Sequence, residues 1–421
     1  MLLEKVILSQ NAHWTNNEYE SLEYRSEIDG LLKKNELPHI QVLTGIRRSG
    51  KSSIFKLIIN HLMKTVSPKN ILFLNMDDPV YSFVWSDSSQ LYNIIETAEK
   101  LSETKIHYLF LDEIQSVKQW ERFVKSAYDA QIYKKIYVTG SNSSLLKNDF
   151  SILLSGRYFA NSIQPYSLME VLKINGIETE IDKIEKKPTL LKVLDDCVEW
   201  GSFPEILQIK DATIRRELLK NYFDSIVFKD CISYHQIRDV MLFKQMILYI
   251  LSNIGNLYSF NSLAKALNSN ENTIKTYLEI LQDSFIVEMV QNFSYSTKTN
   301  ARSASKIYCA DNGLITALSF RFSENRGRMF ENFVFNELRK KGYDEIYFSN
   351  QDGECDFIVK KPDGFHAFQV CTEITPENKA RELNGFKQIA KKIQLNSKHI
   401  VTFNQQYNEG DINIIPVWKL L

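Results

Sequence analysis

The stretch HIQVLTGIRRSGKSSIFKLIIN, residues 39–60, decides the fold. It opens with an unbroken apolar run, which is how a strand buried on both faces of a parallel sheet reads. It closes with an amphipathic run, SSIFKLII, of helical character. Between them lies Gly45–Ser52, GIRRSGKS, a complete G-x-x-x-x-G-K-[ST]. Two glycines let such a loop turn successive backbone N–H groups inward, toward a phosphate. Lys51 adds a point charge for the β- and γ-phosphates, and Ser52 a hydroxyl for Mg2+. The helix that follows lends the positive end of its dipole. ATP is therefore expected along Gly45, Ile46, Arg47, Arg48, Ser49, Gly50, Lys51, Ser52 and Ser53. The side chains of Arg47 and Arg48 are expected to face solvent.

Working outward, ILFLNMDD (71–78), IHYLFLDE (106–113) and KIYVTGS (135–141) are further continuous apolar runs, separated by helical stretches. That alternation predicts a doubly wound α/β domain over 25–165. The run YLFLDE ends in two carboxylates. Asp112 is expected to hold Mg2+ and Glu113 to polarise the attacking water. The tip of the next strand, with Ser141 and Asn142, either orients that water or simply makes a turn. Arg157, in LLSGRY, either reaches a phosphate in its own or a neighbouring subunit or forms a structural ion pair.

Composition narrows the classes. The chain has 421 residues, enough for two to four domains. Fifty aromatic residues (25 Phe, 20 Tyr, 5 Trp) exclude a disordered chain. Lys plus Arg equals Asp plus Glu at 51, so a basic excess is absent, although local basic surfaces remain open. Five dispersed cysteines form no C-x-x-C pair. No segment has the length of an apolar membrane span or the core of a signal peptide. A soluble, cytoplasmic protein without membrane contact is expected.

Beyond the first domain the pattern changes. Residues 1–24 read as a lead segment, 166–239 as a helical lid, 240–310 as a winged helix and 311–421 as a second α/β domain. In order, GIRRSGKS, YLFLDEIQ, VTGSNSSLL, LLSGRY, GSFPE, YFDSIVFKD, KIYCADNGL and ENFVFNEL resemble a widespread prokaryotic group of AAA+-type ATPases with a C-terminal domain of unknown function. The resemblance covers about residues 20–421. It implies an AAA+-like core, a helical lid, a winged helix and a restriction-endonuclease-like C-terminal domain, with ATP and Mg2+ as ligands.

Two features bear on partners. From Met289 to Ala310 no acidic residue occurs, while Lys298, Arg302 and Lys306 recur at four-residue spacing. Such a wing either grips DNA phosphates without reading sequence or serves domain packing. In the C-terminal domain, Glu331, Glu354 and Asp356 lie where a nuclease-like fold keeps its metal, but the expected Glu-x-Lys is Gln369-Val370-Cys371. Gln brings no charge to a hard cation, and Cys cannot supply the ammonium. Lys360 or Lys361 would have to substitute. A retained fold serving interaction, with a protein as possible partner, is the expectation, and self-association stays open.

Overall fold

The computed structural model describes residues 2–146, 152–294, 304–318, 326–343, 345–350 and 353–420, without the side chains of residues 144 and 146. It divides into two compact units, 1–164 with 283–285, and 165–282 with 286–421. Among the described residues no helix is long and apolar enough to cross a membrane.

The first unit is built on β1 (Ile40–Thr44), β2 (Ile71–Asn75), β3 (Tyr108–Asp112), β4 (Lys135–Gly140) and β5 (Tyr158–Ser162). All pairings are parallel and the order is β2-β3-β4-β1-β5. Strand β5 was not legible in the polar YFANS. Side chains alternate between two cores, as the two-residue period of a strand requires. Leu43, Phe73, Phe110 and Tyr137 meet helix α1 (Lys51–Leu62) through Ile54, Phe55, Ile58 and Ile59. Phe110 and Tyr137 stack at 4.2 Å, and Phe55 meets Phe110 edge-on. On the other face, Val42, Leu72, Leu109, Leu111 and Val138 meet helices Leu91–Ser102 and Trp120–Asp129.

The lead segment is part of this unit. Strand β2 lies at the edge of the sheet, with backbone groups that need partners. Asn11 supplies both kinds: its Nδ2 donates to Phe73 O at 2.9 Å, and Phe73 N donates to its Oδ1 at 2.7 Å. Asn75 N donates to Gln10 Oε1, and Trp14 Nε1 donates to Ile71 O. His13 is fully buried and its Nε2 lies 3.0 Å from the same Ile71 carbonyl.

Burial, partly offset by that carbonyl, lowers the His13 imidazole from 6.5 to about 4. The unfolded chain therefore takes up a proton that the fold refuses between these values. His13 contributes its full share above pH 6.5 and loses it as pH falls toward 4, at most about 3 kcal/mol. The stability advantage of wild type over His13→Gln should shrink by about 2 kcal/mol between pH 7.5 and pH 5, read by urea unfolding at both pH values.

The second unit carries a nine-stranded mixed sheet. Its strands are β6 (Leu257–Tyr258), β7 (Val287–Asn292), β8 (Ser305–Cys309), β9 (Ile346–Ser349), β10 (Cys355–Lys361), β11 (Gly364–Val370), β12 (Leu395–Thr402), β13 (Tyr407–Glu409) and β14 (Ile412–Pro416). The order is β13-β14-β12-β11-β10-β9-β7-β8-β6. Parallel pairing of β7 with β9, through Gln291↔Tyr347 and Asn292↔Phe348, joins the 240–310 segment to the C-terminal strands in one sheet. Helices Phe260–Ala266 and Glu271–Asp283 precede the β7–β8 hairpin. Helix Ala212–Ser225 continues into a π-helical stretch, Ile226–Ser233.

Three of the later motifs converge on a buried polar knot in this unit. Asn332 pairs with both backbone groups of Cys309, at 2.8 and 3.0 Å. Asn312 donates to Val198 O and Met329 O. Asp311 accepts from Ser202 N and Gly313 N, both at 2.8 Å. Gly201 has φ +74°, and a Cβ there would lie 1.7 Å from the Asp311 carboxylate. Glu337, fully buried, accepts from Leu168 N and pairs with Lys340. Their buried side chains are satisfied mainly by backbone groups of neighbouring elements, as buried polar atoms must be.

Candidate functional site

The loop after β1 folds as its glycines require. Gly45 has φ +147° and Gly50 φ +99°, and a Cβ on Gly45 would stand 2.0 Å from Ile163 O. Arg48 also takes a left-handed conformation, φ +71°, and is exposed. Ile46 and Ser49 are buried, while Ser52 and Ser53 lie half-buried in the first turn of α1. Lys51 is 4% exposed, and its ammonium donates to Gly45 O at 2.9 Å and Ile46 O at 3.1 Å. It is curled back along the loop.

Strands β1 and β3 are separated by β4, and the site forms at their C-terminal ends. A crevice of this kind arises where the strand order reverses, here at β1 between β4 and β5. Ser52 Oγ donates to Asp112 Oδ2 at 2.6 Å, so the two expected metal ligands already face each other. Thr139 Oγ1 donates to the other oxygen of Asp112 and accepts from Glu113 N at 3.0 Å. Serine hydroxyl and carboxylate oxygens are the hard donors that Mg2+ prefers. The donor set fits the ion.

Glu113 sits in the left-handed region, φ +52°. Its carboxylate accepts from Gln115 Nε2, which also donates to Ser141 Oγ at 3.3 Å. Arg47 is 4.0 Å from Glu113 and 3.5 Å from Ser141 Oγ. Burial works to raise the Glu113 carboxyl, but Lys51 and Arg47, with the hydrogen bonds from Gln115 and Ser141, together hold it below the ordinary range. Burial, then the adjacent Glu113 charge, raises Asp112. One acid of the pair is thus kept ionised, as a base must be.

Several expectations change. Arg47 does not face solvent: its side chain is 16% exposed and turned toward Glu113. Ser141, fully buried, is brought to Glu113, with Asn142 buried beside it. Arg157 does not join the site of its own chain. Parallel pairing of Ile40 with Tyr158 puts it at the N-terminal end of the sheet, about 13 Å along β1 from the loop. There it forms an ion pair with Asp129 at 3.0 Å, both about one-third exposed. Lys306 is not on a DNA-facing surface. It is 2% exposed and bound to three carboxylates, because β8 lies inside the sheet. Lys298 and Arg302 fall outside the described residues. Lys360 pairs at the surface with Glu345 and faces no metal position.

One supporting residue carries no sequence signal. Arg25, 2% exposed, donates to Ser49 O at 2.8 Å and Gln164 O at 2.7 Å, and pairs with Glu27. It braces the loop from beneath. Arg25→Ala would strand the buried Ser49 carbonyl and unpair the part-buried one of Gln164, at a cost of about 1–3 kcal/mol. It should also weaken ATP binding about tenfold by loosening the loop, with Arg25→Lys recovering part of both losses in melting and fluorescent-nucleotide titrations.

Loop, acid pair and strand order together define a P-loop nucleotide-binding core. Comparison with known proteins agrees. The AAA domain model matches residues 38–172, and two models described as domains of unknown function, DUF8612 and DUF4143, match 191–325 and 326–420. An uncharacterized protein of Methanocaldococcus jannaschii is 32% identical over 401 residues, 90% of this chain and 87% of that one. Another, of Haemophilus influenzae, is 29% identical over 92% of this chain and 94% of its own. The chain belongs to this family of AAA-domain proteins. Among solved structures, Aeropyrum pernix ORC1 in complex with DNA is 13% identical, with a TM-score of 0.35 over 73% of this chain and 96% of that one. AMPPCP-bound DnaA of Aquifex aeolicus is 12% identical, with a TM-score of 0.28 over 61% and 85%. Likeness of that degree bears no weight beside the loop and the acid pair.

Proposed function

We propose that the chain binds Mg-ATP in the first unit and hydrolyses it, using the cycle as a switch for the second. The observation that carries the reading is the 2.6 Å pairing of Ser52 with Asp112, next to an ionised Glu113 and a P-loop lysine. Backbone N–H groups of Gly45–Ser52 take the phosphates. Lys51 exchanges its two carbonyl partners for β- and γ-oxygens. Ser52 and Asp112 hold Mg2+, which supplies neutralising charge on the phosphates. Glu113 accepts the proton of the attacking water, and Ser141 or Asn142 orients that water.

In this reading the helices of 166–239 are the lid, and the helix pair with the β7–β8 hairpin is a winged helix that moves with nucleotide state. Of the three basic wing residues, a DNA contact would be left with Lys298 and Arg302. With Lys306 buried and Lys298 and Arg302 outside the described residues, we do not propose it. The test is phosphate release from ATP in Mg2+ together with fluorescent-nucleotide binding. Binding with turnover supports the proposal; the absence of binding overturns it, and binding without turnover removes hydrolysis. Protection of 166–310 from proteolysis should differ between ADP and an ATP analogue if a switch exists.

A further inference from the structure

The resemblance implies a metal position in the C-terminal domain at Glu331, Asp356 and Gln369. The residues there do not fit a divalent ion. Lys306, on β8, points into the position from the neighbouring hairpin. Its ammonium lies 2.9 Å from Glu331, 2.9 Å from Glu354 and 3.3 Å from Asp356. An ammonium has three N–H donors, and each meets a carboxylate. Mg2+ or Mn2+ would need those oxygens at about 2.0–2.2 Å, which the ammonium between them prevents.

The remaining groups are committed elsewhere. The second oxygen of Asp356 accepts from Val370 N at 2.9 Å. Tyr308, two residues along β8 and on the same face as Lys306, donates to Glu331 at 2.6 Å. Gln369 spends both ends of its amide, accepting from Asp356 N at 3.3 Å and donating to the buried Glu382 at 2.9 Å. Cys371 is no thiolate, since burial pushes it up to about 12. Among the described residues no group of three or more His, Cys, Asp or Glu is arranged to hold a metal.

We propose that Lys306 is the resident cation of this cluster, standing where a nuclease-like fold keeps its metal. The C-terminal domain is then a metal-free, non-hydrolytic body, and the ion cluster clamps the β7–β8 hairpin to it. The inference is independent of the nucleotide reading.

The test uses nucleotide-free full-length protein, Mn2+ titration followed by the free-ion EPR signal, and thermal melting with and without Mn2+. Any uptake at Ser52 and Asp112 is common to all variants. Wild type and Asp356→Asn should take up Mn2+ alike and show the same shift of melting temperature with Mn2+, whatever the Ser52–Asp112 position contributes. Lys306→Ala should melt lower, bind Mn2+ at least about tenfold more tightly, and recover in melting temperature as the ion replaces the ammonium. Lys306→Ala/Asp356→Asn should lose that recovery. Mn2+ uptake by wild type that Asp356→Asn abolishes, or Mn2+-dependent DNA cleavage by wild type, overturns the proposal. So does a folded Lys306→Ala that responds to Mn2+ no more than wild type does. If Lys306→Ala gives no folded protein, the comparison of wild type with Asp356→Asn decides.

Discussion

Glu113→Gln will lower steady-state ATP hydrolysis by about 100-fold or more while leaving ATP affinity within about threefold of wild type. The substitution keeps volume and hydrogen-bonding reach but removes the basic oxygen. Glu113 is held ionised by Lys51 and Arg47 against the pull of burial. In the proposed roles a neutral amide loses the proton acceptor and little else, because Ser52 and Asp112 would still hold the ion and the loop the phosphates. Effects on turnover and on binding therefore separate. Multiple-turnover phosphate release and nucleotide titration on one preparation measure both. If Glu113→Gln turned over at the wild-type rate, another group would be the base and the roles assigned to the acid pair would be wrong.

Candidate site residues were legible in the sequence where the pattern is local. The loop Gly45–Ser52 and the pair Asp112–Glu113 are short patterns whose flanking apolar runs declare strands, and both lie at strand ends in the structure. What was illegible depends on register and burial. Arg157 follows a glycine as a phosphate-contacting arginine would, but nothing in LLSGRY says which end of the sheet it occupies. The pairing of Ile40 with Tyr158 sends it to the wrong end. Arg25 and Gln115 stand in no recurring pattern, because one supports a loop through carbonyls and the other steadies a carboxylate.

Lys306 shows the same limit from the other side. A segment without acidic residues reads as a basic surface, yet the acids that neutralise it arrive from positions 331, 354 and 356. Net charge along a sequence window does not report charge in space. The motifs GSFPE, KIYCADNGL and ENFVFNEL invite a functional reading because they recur in order. Their Asp311, Asn312, Asn332 and Glu337 instead bond mainly to backbone groups of neighbouring elements, at Ser202, Val198, Cys309 and Leu168, and Gly201 leaves room for the Asp311 carboxylate. A buried polar network tolerates few substitutions, since removing one partner leaves another unsatisfied.

Lys51→Ala will reduce ATP affinity by about 100-fold or more, with turnover falling below detection at ATP concentrations that saturate wild type. The reason lies in what the ammonium does before nucleotide arrives. It is 4% exposed and satisfied by two loop carbonyls, so its desolvation is already complete in the free protein. Phosphate oxygens replace those carbonyls with charged acceptors at little reorganisation, and a charge-assisted bond is roughly twice as strong as a neutral one. Alanine removes that gain and takes the ammonium from Gly45 O and Ile46 O, the latter keeping Ser49 N as a donor. It also takes away the cation that helps keep Glu113 ionised. Lys51→Arg should not rescue binding, because the planar guanidinium is too bulky for a point-charge position under the loop. Isothermal titration with ATP and with ADP checks the assignment. The loss should be larger for ATP, whose γ-phosphate Lys51 also meets, and equal losses for both would confine Lys51 to the β-phosphate.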